Sequence, residues 1–116
     1  MKYEYHFEST PNGSLVMQLP AEISLVTTFL FSDVQWSNGE HYLSRIDPVL
    51  EGKIPEWTET GNVCELEIRP DFTTILDILA EDDDPESECV IETSELRELI
   101  VIWMDATKPL VTPQNS

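Results

Sequence analysis

Two histidines, two cysteines and 23 aspartates and glutamates are the groups in this 116-residue chain that could do chemistry. Nucleophilic catalysis needs a base beside a hydroxyl or thiol, and His6 and His41 are the only imidazoles available. His6 falls on the polar side of an alternating segment, which predicts a solvent-exposed side chain. His41 follows the turn residues Asn38-Gly39 and has no serine or cysteine motif beside it. Cys64 and Cys89 lie in the apolar runs NVCELEI and ECVIE, where a small buried hydrophobe is the expected role and a disulfide is not expected. Zinc would need four Cys or His ligands at short spacings, whereas these cysteines stand 25 positions apart and away from the histidines. Four scattered glycines make no phosphate loop.

Carboxylate pairs are so abundant that chance alone brings some together, so they carry no catalytic signal. The run Glu81-Asp82-Asp83-Asp84-Pro85-Glu86 superficially resembles a calcium loop but lacks its sixth-position glycine and spaced ligands. No catalytic set, cofactor or metal site is therefore expected.

The net charge of −17 carries more information. Phosphate recognition uses Lys and Arg to displace counterions, so direct binding to nucleic acid or an anionic membrane is excluded and a basic protein partner is favoured. Spread evenly over a surface of roughly 6,400 Å², the excess charges would lie about 20 Å apart, beyond a Debye length of about 8 Å, so clustering decides their effect. The densest cluster is 81–88, with six acids in eight positions. Elsewhere Glu56 and Glu59 flank Trp57, and Asp33 and Glu40 flank Trp36. Both tryptophans stand in turn-rich sequence, where an aromatic ringed by polar groups suits either an interface centre or a lid folded over the core. The expected partner-binding residues are thus Asp33, Trp36, Glu56, Trp57, Glu59, Glu81, Asp82, Asp83, Asp84 and Glu86.

These residues need a scaffold. Tyr3, Tyr5 and Phe7 alternate with charged neighbours, Pro11-Asn12-Gly13 is turn chemistry, and Leu15, Met17 and Leu19 alternate again, which predicts a β-hairpin. Pro20 suits the first turn of an amphipathic helix over 20–32 bearing Leu25, Val26 and Phe29. Residues 40–51 could form a short helix limited by Pro48, and the stretch to 61 reads as loop. Cys64, Leu66 and Ile68 alternate with acids, Pro70-Asp71 marks a turn, and 73–79 is rich in β-branched residues, which predicts a second hairpin. A strand at 89–92 and a helix capped by Thr93 or Ser94, with Leu96, Leu99, Ile100 and Trp103 on one face, complete the pattern. The expected fold class is α+β, a mostly antiparallel sheet built from hairpins with two or three helices on one face. It forms one domain over 1–106, followed by a frayed tail over 107–116. The opening MKYEYHFE holds no apolar run, so neither a secretory signal nor a spanning helix is expected, and the cytoplasm is the expected location.

A small acidic domain with a hairpin start and no catalytic set resembles bacterial immunity proteins of contact-dependent growth-inhibition and related polymorphic-toxin systems. The resemblance attaches to the opening YEYHFESTPNGSLVMQLP and the closing CVIETSELRELIVIWMD. It implies a cytosolic protein that neutralises a cognate basic toxin domain, a nuclease, by blocking its active site or nucleic-acid-binding surface. It transfers no site residue. Two other readings compete: a nucleic-acid mimic acting on a host DNA-binding enzyme, and a small carboxylate-dependent enzyme.

Overall fold

A computed structural model describes residues 2–80 and 87–111. It gives the α+β architecture, with two antiparallel sheets and three helices among the described residues. Strands β1 (His6–Ser9) and β2 (Leu15–Gln18) form the first hairpin. Its turn closes through Thr10 N–H to Ser14 O (2.8 Å) and Gly13 N–H to Thr10 O (2.9 Å), and Gly13 takes φ +90°, which L side chains rarely adopt.

A 3-10 turn at Ala21–Ile23 leads into α1 (Ser24–Phe29), which widens into a π turn at Leu30–Val34. The helical segment thus runs slightly beyond the expected end. The Thr27 hydroxyl donates to the Met17 carbonyl (2.7 Å) and fastens the hairpin to α1. Helix α2 (Gly39–Leu50) runs through Pro48, which gives no amide to the helix, and ends two residues later, with Gly52 at φ +78° just beyond it.

The second sheet is a meander in the order β3 (Trp57–Thr60), β4 (Cys64–Ile68), β5 (Phe72–Asp77), β6 (Glu88–Glu92). Strand β3 corrects the expectation of loop up to residue 61. Its inward positions are Trp57 and Glu59, opposite Ile68 and Leu66, so an inward glutamate breaks the apolar alternation that would have marked a strand. The β4 alternation holds: Cys64, Leu66 and Ile68 are buried beside Ile75 of β5 and Ile91 of β6.

Helix α3 (Thr93–Val111) supplies Leu96, Leu99, Ile100 and Trp103 to the same core, as their spacing predicts. The helix continues past 107, where a frayed tail was expected. Thr107 is buried and its hydroxyl donates to the Trp103 carbonyl (2.9 Å), and residues 112–116 lie outside the described part. Arg97 Nε bonds Asp47 Oδ1 (2.6 Å) and joins α3 to α2. Among the described residues the helices pack on one face of the four-stranded sheet, and on the other Phe72 and Val90 are each half exposed.

Candidate partner-binding site

Asp33 leaves the expected set of partner contacts. It is 2% exposed, because its carboxylate accepts the amides of Asn62 and Val63 (2.9 and 3.0 Å) on one oxygen and of Cys64 (2.8 Å) on the other. The turn between β3 and β4 has no other partners for those donors, and a buried amide left unpaired is costly. Gly61 is required at this turn, since a Cβ there would lie 2.7 Å from both the Asp33 carboxyl carbon and the Tyr42 hydroxyl. Burial first, and then the Asp33 charge, push the Tyr42 phenol well above its ordinary range.

Trp36 stands at the surface in the turn before α2. It is 58% exposed and stands just after Gln35, whose φ of +55° is the positive value among the described non-glycine residues. Three bonds hold Gln35 in that unfavourable geometry: its amide to Leu30 O (2.8 Å), its side chain to Ser32 O (2.9 Å), and its carbonyl to Trp103 Nε1 (2.5 Å). Beneath Trp36 opens a cavity of about 560 Å³ walled by Leu15, Phe31, Gln35 and Trp103.

Trp57 lies in a different neighbourhood. It is 39% exposed, and the Arg45 guanidinium sits 5.0 Å from its ring centre. Its Nε1 donates to Glu59 Oε1 (2.8 Å), while His41 Nε2 lies 2.8 Å from Glu59 Oε2 and Arg45 Nε 3.5 Å from Oε1. Partial burial would raise the Glu59 carboxyl, but bonds from Trp57 and His41, with the charges of His41 and Arg45, hold it below the usual carboxylate range. Glu59 therefore organises the Trp57 surface and has little capacity left for a partner. Glu56 is exposed and lies 3.3 Å from Arg69.

Glu81, Asp82, Asp83, Asp84 and Glu86 lie outside the described residues. Their segment joins β5 to β6, whose ends are tied by Asp77 N–H to Ser87 O (2.8 Å).

His6 is exposed and bonds Glu8 (3.0 Å), as its strand position predicts. Burial pushes the Cys64 thiol up to about 12 and the Cys89 thiol up to about 11, so neither is a ready nucleophile, and both are free thiols. No group of three or more His, Cys, Asp or Glu among the described residues could hold a metal ion, and none of the described helices is long and apolar enough to cross a membrane.

One surface escaped the sequence reading altogether, the open face of the second sheet with Phe72, Leu76 and Val90. The signal was present as parity: Phe72, Thr74 and Leu76 alternate with the buried Thr73 and Ile75.

The chain is 49% identical over 115 residues, covering 99% of its own length and 97% of the relative's, to a Bacillus cereus protein named "Immunity protein". No family model and no solved structure matches it.

Proposed function

The chain belongs to the same family of immunity proteins as this Bacillus cereus relative, and from that premise we propose that it binds and neutralises a cognate toxin domain that is basic and acts as a nuclease. The carrying observation is the net charge of −17 on a member of this family. A nuclease holds its substrate through Lys and Arg, and carboxylates placed over those cations exclude phosphates from the same surface. The protein then acts by occupancy and not by catalysis, in the cytoplasm where an incoming nuclease meets its substrate. Contact-dependent growth inhibition or a related polymorphic-toxin system is the setting this reading implies.

The contacts proposed are Trp36, Glu56 and Trp57, with Glu81, Asp82, Asp83, Asp84 and Glu86 from the acidic run. Glu59 serves by holding Trp57 in place.

The test is protection. A toxin domain encoded beside the gene for this chain is expressed in a bacterial host with and without the chain, and the purified pair is assayed for nucleic-acid cleavage. Restored growth and a cleavage activity silenced at one-to-one stoichiometry are expected. Growth arrest that persists beside the chain would overturn the reading, and a toxin that leaves RNA and DNA intact would overturn its nuclease part.

A further inference from the structure

An antiparallel sheet that shows one face to water ordinarily carries polar residues there. The face of β3 to β6 turned away from the helices departs from that rule. Phe72 and Val90 are each 50% exposed, and Leu76 lies between them and the β5–β6 connection. The register fixes their surroundings. Leu76 is opposite Glu65 on β4 and opposite Glu88 on β6, so two carboxylates bracket one leucine across three strands. In the next row Thr74 stands between Glu67 and Val90.

Cross-strand neighbours on a surface sheet gain from opposite charges, and this face has few to offer. Among the described residues neither Glu65 nor Glu88 has a cationic partner, and Arg69 is shared between Glu67 (3.7 Å) and Glu56 (3.3 Å). At the Phe72 end, Pro55, Glu56, Arg69, Pro70, Asp71 and Phe72 line a depression of about 270 Å³. A partner suited to this face would bring an apolar centre for Phe72, Leu76 and Val90 and Lys or Arg side chains for the surrounding carboxylates.

We propose that the open face of the four-stranded sheet, centred on Phe72, Leu76 and Val90 and bordered by Glu65, Glu67 and Glu88, is a second surface on which the basic toxin domain docks, on the side of the sheet away from the Trp57 ring. This inference rests on the toxin-binding reading. Exposed apolar area on a chain of this charge is held apart from other copies by mutual repulsion and is drawn to a cationic surface. The carboxylates speed encounter and set orientation, and the apolar centre holds the complex once formed.

The experiment uses the full chain and a catalytically inactivated form of the toxin domain encoded beside it, with affinity read by calorimetry. Phe72→Ser with Val90→Ser is expected to weaken binding by about ten- to a hundredfold. Glu65→Lys with Glu88→Lys is expected to weaken it about a hundredfold or more. Glu98→Lys, on the exposed side of α3, should change it by no more than about threefold. Thermal unfolding verifies that each variant folds. Methyl NMR of the unaltered chain gives an independent readout: Leu76 and Val90 should shift on complex formation, and buried Val34 and Leu99 should not. Undiminished binding by both double variants, or an equal loss in Glu98→Lys, would overturn the docking face alone. Dimerisation of the free chain abolished by Phe72→Ser with Val90→Ser would assign the face to a second copy and overturn it as well. An unaltered chain that fails to bind removes the toxin-binding reading itself, and this inference with it.

Discussion

The Cys64 amide donates to the Asp33 carboxylate at 2.8 Å, joining the end of the first helical segment to the start of β4. With the Asn62 and Val63 amides on its other oxygen, this side chain completes the β3–β4 turn that the sheet itself leaves open. Asp33→Ala should lower unfolding free energy by about 2–4 kcal/mol, because the buried Cys64 amide and the half-buried Asn62 and Val63 amides all lose a charged acceptor. Asp33→Asn should cost less, since one oxygen survives. Gly61→Ala should also destabilise, as the new Cβ would strike the same carboxyl group. Urea unfolding measures all three, and an Asp33→Ala variant as stable as the parent would show that the turn does not depend on this clamp.

Gln35 and Trp103 form a second coupled pair. Trp103 is 2% exposed and its indole N–H bonds the carbonyl of a residue held at positive φ. Trp103→Ala should cost about 3–5 kcal/mol through the cavity it leaves. Trp103→Phe, which keeps most of the ring volume, should cost about 1–2 kcal/mol, chiefly the lost hydrogen bond. Gln35→Gly should be neutral or stabilising by up to about 1 kcal/mol, because glycine adopts the observed backbone without strain. Thermal melts of the three variants decide the point. A strongly destabilised Gln35→Gly would mean that its side-chain bond to Ser32 outweighs the backbone strain.

Where burial alone selects the residue type, the sequence was readable. Cys64, Leu66 and Ile68 alternate as a half-buried strand must, and Leu96, Leu99, Ile100 and Trp103 repeat as a helix face must. Strand β3 was hidden because Glu59 points inward, where its charge is satisfied by His41, Arg45 and Trp57, and no local pattern announces partners 14 and 18 positions away. Asp33 looked like a surface acid for the same reason: its three donors lie about 30 residues further on. Trp103 on its helix face reads as core and is buried, whereas nothing in the turn sequence around Trp36 distinguishes a lid over the core from the exposed ring found there. The apolar centre of the open sheet face depends on the β5–β6 register, which places Val90 opposite Thr74, and register is a property of two strands that neither one carries alone.

Acid should loosen the N-terminal anchor. Hydrogen bonds from Lys2 and then Tyr3 hold the Glu92 carboxyl down to about 2, and the Lys2 amide also donates to Glu95 (3.0 Å). A group whose folded pKa lies below its unfolded value stabilises the fold above the unfolded pKa and loses that contribution as pH falls through the folded one. The window here runs from an ordinary value of 4.5 down to about 2. The Tm difference between the parent and Glu92→Gln should therefore be constant above about pH 5.5 and close toward pH 2. Because Lys2 is exposed, the gap should be small and should shrink in high salt. A gap that stayed unchanged to pH 2 would show that Glu92 does not use its charge.

Complex formation with the toxin should be salt-dependent in its association and not in its dissociation. Long-range attraction between a chain of net charge −17 and a basic domain accelerates encounter, and at physiological ionic strength it is screened beyond about 8 Å. The association rate should therefore fall by about ten- to a hundredfold between 20 and 500 mM salt, with the dissociation rate changing by less than about threefold. Reversing Asp82, Asp83 and Asp84 together should slow association further while leaving thermal stability within about 0.5 kcal/mol of the parent. Stopped-flow kinetics separates the two rates. If the reversal instead unfolds the protein while binding persists in the folded fraction, the acidic run supports the fold and the partner reads charge elsewhere. If salt accelerates dissociation and leaves association alone, the contact is a short-range ion-pair network, and the global charge of the chain does not guide the encounter.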